Sequence, residues 1–397
     1  MNPTFSTPDF IRTASTVAEN YGFRPLQVVS KQAQREGGET SIVHSISAKA
    51  KRKDSLSGLL TGGVLAYCDQ RLHTFEGPTF TYNIDKVPRT DEIAISFHVY
   101  NVERSIAESL LIQTLRSLSS DLGYTDHTIR INSLGDSESL TRYHRELTNF
   151  LRKRIDYLPP TARELMKEHS ILALQYLIEK DHELVLRSPS PLEYLSDFSR
   201  KHFREIVEFL DMCDAPYEID PKLIGHHECY SDTLFTFDFY QPEAQSSTLE
   251  SLTITGGRID AFTECYTPNR IPTVGAVVVL NSRKAPTRIS RPRLPTPSVY
   301  IVHLGFGPKI RTLQLINELR YAGIPVYQSL ASDSLSEQLR DAEKQNCQYT
   351  VIIGQKEYVE GTVIIRDMTV RNQEIIPQQN LIKKLKRNVA NVRVPRQ

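Results

Sequence analysis

Four short stretches of the chain carry residue types that could do chemistry. His226-His227-Glu228-Cys229 offers metal-binding side chains. Consecutive residues on a strand point to opposite faces, however, and no second Cys/His cluster supplies the remaining ligands, so no metal site is expected. The glycine pairs Gly62-Gly63 and Gly256-Gly257 suit turns at strand ends and match no nucleotide fingerprint. Gly305-Phe306-Gly307 opens a helical pattern at 309. Free N–H groups there suit a phosphate of RNA as well as they suit a tight βα turn. The only concentrated charge is basic. One segment holds Arg283, Lys284, Arg288, Arg291 and Arg293; the other holds Lys383, Lys384, Lys386, Arg387, Arg393 and Arg396. Contacts of this kind to phosphates would give affinity without sequence choice.

These segments matter because the whole chain is nearly neutral. Its 397 residues include 48 Lys+Arg and 47 Asp+Glu, a formal charge of +1, so no global field draws it to nucleic acid or membrane. Apolar residues make up 39%, enough for a packed core, and the length suggests two or three domains. No apolar run reaches the ~18 residues of a membrane span, and the first residues lack the pattern of a signal peptide. Five scattered cysteines, Cys68, Cys213, Cys229, Cys265 and Cys347, fit reduced thiols and a cytoplasmic location better than a disulfide frame.

The elements that must position these residues follow from periodicity. Phe10, Ile11, Ala14, Val17 and Ala18 recur at helical spacing before Gly22 and Pro25. Residues 26–104 read mostly as strands, including LQVVS, GVLAYC, TFTYNI and IAISFHVYNV. Ala107, Leu110, Leu111, Leu115 and Leu118 mark a helix face over 105–122. A strand and turn follow at 128–136, then charge-rich helices with an insertion, a helix over 199–211, and strands over 216–280. This interleaving indicates a mainly antiparallel α+β core. The stretch 282–298 has five basic residues, four prolines and no acid, which makes it an extended linker. Beyond it, strands at 299–302, 324–327, 351–353 and 362–365 alternate with helices, one capped by Ser334 and Glu337. That pattern predicts a small parallel-type sheet covered by helices.

Four blocks then resemble one family in order and spacing. GYTDHTIRINSLGD, DFSRKHFREIVEFLDMCDAPYEIDPKLIG, TGGRIDAFTECYTPNRIPTVGAVVVL and the whole of 298–383 are similar to bacterial histidyl-tRNA synthetase. The resemblance implies a class II aminoacyl-tRNA synthetase antiparallel-sheet core over 1–281, with a helical insertion at about 140–211. It also implies the 282–297 linker, an α/β anticodon-binding domain over 298–383 and a basic tail over 384–397. Family members are homodimers.

The positions that carry the family's chemistry differ. A pentavalent phosphorus needs fixed guanidinium groups. The family's motif 2 arginine and glutamate align with Thr81 and Asn83, and the returning strand reads Ile93-Ala94-Ile95-Ser96-Phe97. The arginine of the histidine-specific motif aligns with Gly225, within Leu223–Tyr230, and the motif 3 arginine with Ser282, with Arg283 one position on. The amino-acid pocket would retain Gly62, Val99, Glu103, Tyr230, Gly256, Gly257 and Arg258. Of these, Gly62 stands for a carboxylate segment and Val99 for a glutamine, while Ile259 replaces a tyrosine. Catalytic residues are therefore expected to be none and cofactors none. The expected function is binding, as a dimer, of tRNA or another RNA or of a protein partner. RNA contacts would come from Arg288, Arg291, Arg293, Lys383, Lys384, Lys386 and Arg387. The alternatives are an active histidine–tRNA ligase using ATP and Mg, or a regulatory paralogue tied to histidine biosynthesis or amino-acid sensing.

Overall fold

The computed structural model describes residues 6–29, 55–70, 72, 77–87, 90, 92–225, 229–240, 251–267, 270–284, 286, 297–330 and 332–390. The metal-type triplet at 226–228, Arg288, Arg291, Arg293, Arg393 and Arg396 lie outside them.

Helix α1 (Thr7–Asn20) starts where the Ser6 hydroxyl accepts the Asp9 N–H, and it ends at Gly22, whose φ of +89° a side chain would strain. It buries Phe10, Ile11, Ala14, Val17 and Ala18, the stripe expected from their spacing. The short strand β1 (Arg24–Pro25) leads to helix α2 (Ser55–Asp69), then to β2 (Thr79–Lys86) and β3 (Glu92–Tyr100). Helix α3 (Ile106–Asp121) and strand β4 (His127–Ser133) follow. The insertion comprises α4 (Ser137–Arg152), α5 (Pro160–Glu168) and α6 (Ser170–Glu179). The core closes with α7 (Asp197–Met212), β5 (Tyr217–Ile219), β6 (Ser231–Phe239), β7 (Leu252–Arg258), α8 (Asp260–Glu264) and β8 (Thr273–Lys284).

These strands form one eight-stranded sheet in the order β1-β2-β3-β8-β7-β6-β4-β5. It is antiparallel except at its two outermost pairs, β1 with β2 and β4 with β5. One face carries Tyr82, Ile84, Ile95, Phe97, Ile129, Phe235, Ile254 and Val278 against α1, α3 and α7. The opposite face carries Ala94, Tyr100, Val277 and Val279 in a second apolar cluster with α2 and the insertion helices.

The C-terminal module contains β9 (Val299–His303), α9 (Phe306–Tyr321), β10 (Val326–Gln328), α10 (Leu335–Lys344) and β11 (Tyr349–Ile353). It continues with α11 (Gln355–Glu360), β12 (Thr362–Asp367), β13 (Gln373–Pro377) and α12 (Leu381–Ala390). The order is β10-β9-β11-β12-β13. Only β10, β9 and β11 are parallel; β12 and β13 run antiparallel, which corrects the expectation of a parallel-type sheet. A parallel crossover needs a dozen or more residues, and the turn through α11 and Gly361 (φ +65°) is shorter.

The module docks firmly on the core. Its apolar residues are continuous with those of α1 and α3. Gln328 Nε2 donates to the Tyr21 carbonyl at 2.9 Å, Gln314 Nε2 to the Met212 carbonyl at 3.1 Å, and Arg320 pairs with Asp121.

Candidate functional site on the covered sheet face

Two of the motif positions, Thr81 and Asn83, lie on the sheet face opposite α1, α3 and α7. Strand alternation assigns its occupants: Thr81, Asn83 and Asp85 on β2; Ala94, Ser96, His98 and Tyr100 on β3; Gly275, Val277 and Val279 on β8; Thr253, Thr255 and Gly257 on β7. None is cationic. Thr81 is buried opposite His98, and Asn83 Nδ2 donates to Asp85 Oδ2 at 2.6 Å. Ser96 is buried, with its hydroxyl unpartnered. Among the described residues, the arginine of this face on a neighbouring strand is Arg130 of β4, and it is held by Asp238 and by Asp220 at 3.0 Å. Arg283 sits near the far end of β8, past a register shift. Asp136 caps α4 at the opposite edge.

Helix α2 fills the middle of this face. His98 Nε2–H donates to the Leu60 carbonyl at 2.8 Å, and the Tyr100 hydroxyl to the Gly63 carbonyl at 3.2 Å. The Tyr67 ring stacks on Tyr100 with centroids 3.7 Å apart. A Cβ on Gly63 would lie 2.1 Å from the His98 ring, and one on Gly275 would lie 2.6 Å from Leu60 Cδ1. Both glycines are therefore demanded by close helix–sheet approach. Burial pushes the His98 imidazole down to about 4, so it is neutral near pH 7 and supplies no charge for phosphate. Burial also pushes the Tyr67 phenol up to about 12 and the Cys68 thiol up to about 12.

Residues 298–388 match the family model described as an anticodon binding domain. Over nearly the whole chain, the sequence is similar to the histidine–tRNA ligase of Latilactobacillus sakei, at 25% identity over 93% of this chain and 90% of the relative. It is similar to that of Halothermothrix orenii at 25% identity, over 95% and 94% respectively. Both comparisons therefore place histidine–tRNA ligases among the proteins this chain is similar to, and an anticodon-binding domain at its C-terminal end. Apo histidyl-tRNA synthetase of S. aureus aligns in structure with 17% identity and a TM-score of 0.45, covering 81% of each chain.

Against that family's pattern, several sequence expectations change. The segment Leu60–Val64, read as a pocket loop next to a strand GVLAYC, is the interior of α2. Three glycines at 58, 62 and 63 each cost about 1 kcal/mol in a helix interior. Burial of an almost wholly apolar helix overrides that cost. LQVVS likewise begins a helical turn at 26–29 instead of a strand.

The seven pocket residues are not gathered either. Val99 packs in the cluster of α1 and α3, whereas Tyr230, just before β6, packs in the cluster with α2. Arg258 is the largest displacement. Its Nε and Nη2 donate to Glu108 Oε1 and Oε2 at 2.8 and 3.0 Å, beneath α3, and Glu108 also meets His202 Nε2 at 2.9 Å. Burial would raise the Glu108 carboxyl, but Arg258 and His202 hold it at about 2. Arg258 is therefore committed to a buried ion cluster and does not reach the covered face. Sequence reasoning missed Glu108 and His202, whose only signal is a charged residue on an otherwise apolar helix face.

Gly257 does approach the site, since a Cβ there (φ +159°) would lie 2.9 Å from the Tyr230 ring, whereas Gly256 faces Ala276 and Phe235 on the other side of the sheet. Gly225 (φ +54°) leaves 2.6 Å to that same ring, so no arginine fits there in this conformation. Glu103 pairs with Arg270 at 3.4 Å. At the C-terminal module, a Cβ on Gly307 would lie 2.7 Å from Tyr358, which explains the glycine by tight packing. Lys383, Lys386 and Arg387 stand exposed on α12, while Lys384 pairs with Glu374 at 2.5 Å.

Proposed function

We propose that this chain is a member of the histidyl-tRNA synthetase family that works by binding and does not form histidyl-adenylate. The observation that carries this reading is α2 seated on the sheet face, over strands that present neutral side chains where adenylation would need guanidinium groups. Losing one preorganised donor typically lowers a rate by ~10²–10³, and three motif positions here hold Thr81, Gly225 and Ser282. In this reading the protein is a cytoplasmic homodimer that needs neither ATP nor Mg²⁺ to engage its partner. The partner is tRNA or another RNA, met by the anticodon-type domain through Lys383, Lys386 and Arg387 of α12. Electrophoretic mobility shifts with tRNA across a salt series test the binding half. A log–log slope of about −2 to −3 is expected if those three side chains meet phosphates. An absence of binding at low salt would remove RNA from the reading and leave a protein partner. Histidine-dependent exchange of pyrophosphate into ATP tests the catalytic half, and a clear signal would restore the ligase alternative.

A further inference from the structure

A cleft opens where the C-terminal module meets the core. It holds about 670 Å³, between the segment Glu103–Ile106 that enters α3, one face of α7, and the first turn of α9. On α7 the lining residues are Phe198, Lys201, His202 and Glu205, whose spacing puts them on one helix face. Two aromatic rings line this space and remain open to water: Phe198 of the core is 56% exposed, and Phe306, the first residue of α9, is 44% exposed. Exposed rings contributed to one cavity by both halves of the molecule suit a flat ligand.

Cations surround the rings. Arg104 and Lys309 share one carboxylate, that of Asp333, so this trio carries a net positive charge. Burial, with Arg104 nearby, pushes the Lys309 ammonium down to about 8, as expected for a cation short of negative charge. Lys201 stands exposed, with no ion pair among the described residues. The other carboxylates of the lining are engaged: Glu205 accepts the Ser105 hydroxyl at 2.6 Å, and Glu103 is held by Arg270 at 3.4 Å. The first turn of α9 adds donors. Gly305, at φ +105°, offers no side-chain cap, and among the described residues nothing accepts from the Phe306 or Gly307 N–H. A helix end alone would define nothing, but His202 brings a further donor to the same space. Its side chain is 6% exposed and lines the cleft, and its Nε2 meets Glu108 at 2.9 Å. Its Nδ1 has no partner among the described residues, yet it keeps accessible surface. Burial opposes charge on this ring, but Glu108 outweighs burial and raises the imidazole above its ordinary value. In the charged form Nδ1 carries a proton and donates.

We infer that this cleft binds a nucleoside monophosphate, with its base against Phe198 and Phe306 and its phosphate among the α9 N–H groups, Lys201, His202 and Lys309. A free mononucleotide and one residue of an RNA strand share this chemistry. The probe is adenosine 5′-monophosphate, titrated calorimetrically into the full chain, with adenosine and inorganic phosphate as separate controls. The expected result is saturable binding of one molecule per chain with a Kd below about 1 mM, and each control at least about tenfold weaker because it keeps only half of the contacts. Phe198→Ala should weaken binding about tenfold and Lys201→Gln about threefold. Both positions are exposed, so these variants keep the fold. Lys167→Gln on α5 removes the same charge outside the cleft and should leave the affinity unchanged. Displacement of the probe by equimolar ApApA assigns the site to RNA, and retention against a large excess assigns it to a free nucleotide; either result keeps the inference. Unsaturable heat, inorganic phosphate or adenosine binding as tightly as the nucleotide, or unchanged affinity in both Phe198→Ala and Lys201→Gln would overturn it. Lys383, Lys386, Arg387 and the α2-covered face lie outside this cleft, so failure of the proposed RNA binding or of the adenylation reading would be seen separately.

Discussion

The eight-stranded core sheet is covered on both sides, whereas the five-stranded C-terminal sheet leaves part of one side open. In the core, α1, α3 and α7 take one face and α2 closes the other over His98 and Tyr100. In the C-terminal sheet, α9 and α12 cover one face and α10 covers part of the other. There, cross-strand neighbours Ile352, Ile364 and Ile375 run toward the β13 edge, with Ile375 61% exposed. The core sheet is packed on both faces, while exposed apolar and basic groups lie on the C-terminal module. Burial dominates the first region, and apolar and basic groups are accessible at the second.

The comparison can be broken in several places. The largest effect should come from Arg258→Met, which leaves the buried Glu108 with His202 alone as its ionic partner; a loss of about 3–5 kcal/mol in urea melting is expected. If Arg258 served a ligand instead, stability would barely change. Acid should act next, and on both sheets. Burial depresses the His98 imidazole from 6.5 to about 4, and burial with Lys309 nearby does the same to His303 in the C-terminal sheet. A lowered histidine value means the folded state resists protonation. Its contribution is therefore intact above pH 6.5 and is lost as pH falls from 6.5 toward 4. Each site should forfeit up to about 3 kcal/mol over that window, and His98→Gln or His303→Gln should flatten its own share of the pH–stability curve. Gly63→Val, which drives a side chain into the His98 ring, should cost about 1–3 kcal/mol by the same melts. The smallest change should follow Ile375→Lys on the open face: within about 0.5 kcal/mol in stability. Any larger loss would show that this face is covered in solution.

Much of this arrangement was legible in the sequence. The stripe Phe10–Ala18, the leucine spacing of α3 and the Ser334 cap follow from period and end signals, and β3 and β8 from their runs of β-branched and aromatic residues. Helix α2 was not legible. Buried nearly all round, it shows no helical period, and Val64, Tyr67 and the glycines resemble strand and turn residues. The substitution of neutral residues at the motif positions could be read directly. That a helix covers them, and that Arg258 turns away to Glu108, depends on contacts more than 30 residues apart, which local pattern does not encode.

The most direct measurement is histidine-dependent ATP–pyrophosphate exchange by the purified full chain. The account predicts no exchange above the histidine-free background at any histidine concentration. Saturable, histidine-dependent exchange would contradict it, because it would require the α2-covered face to open and to find a positive charge besides Arg130, which Asp238 and Asp220 hold.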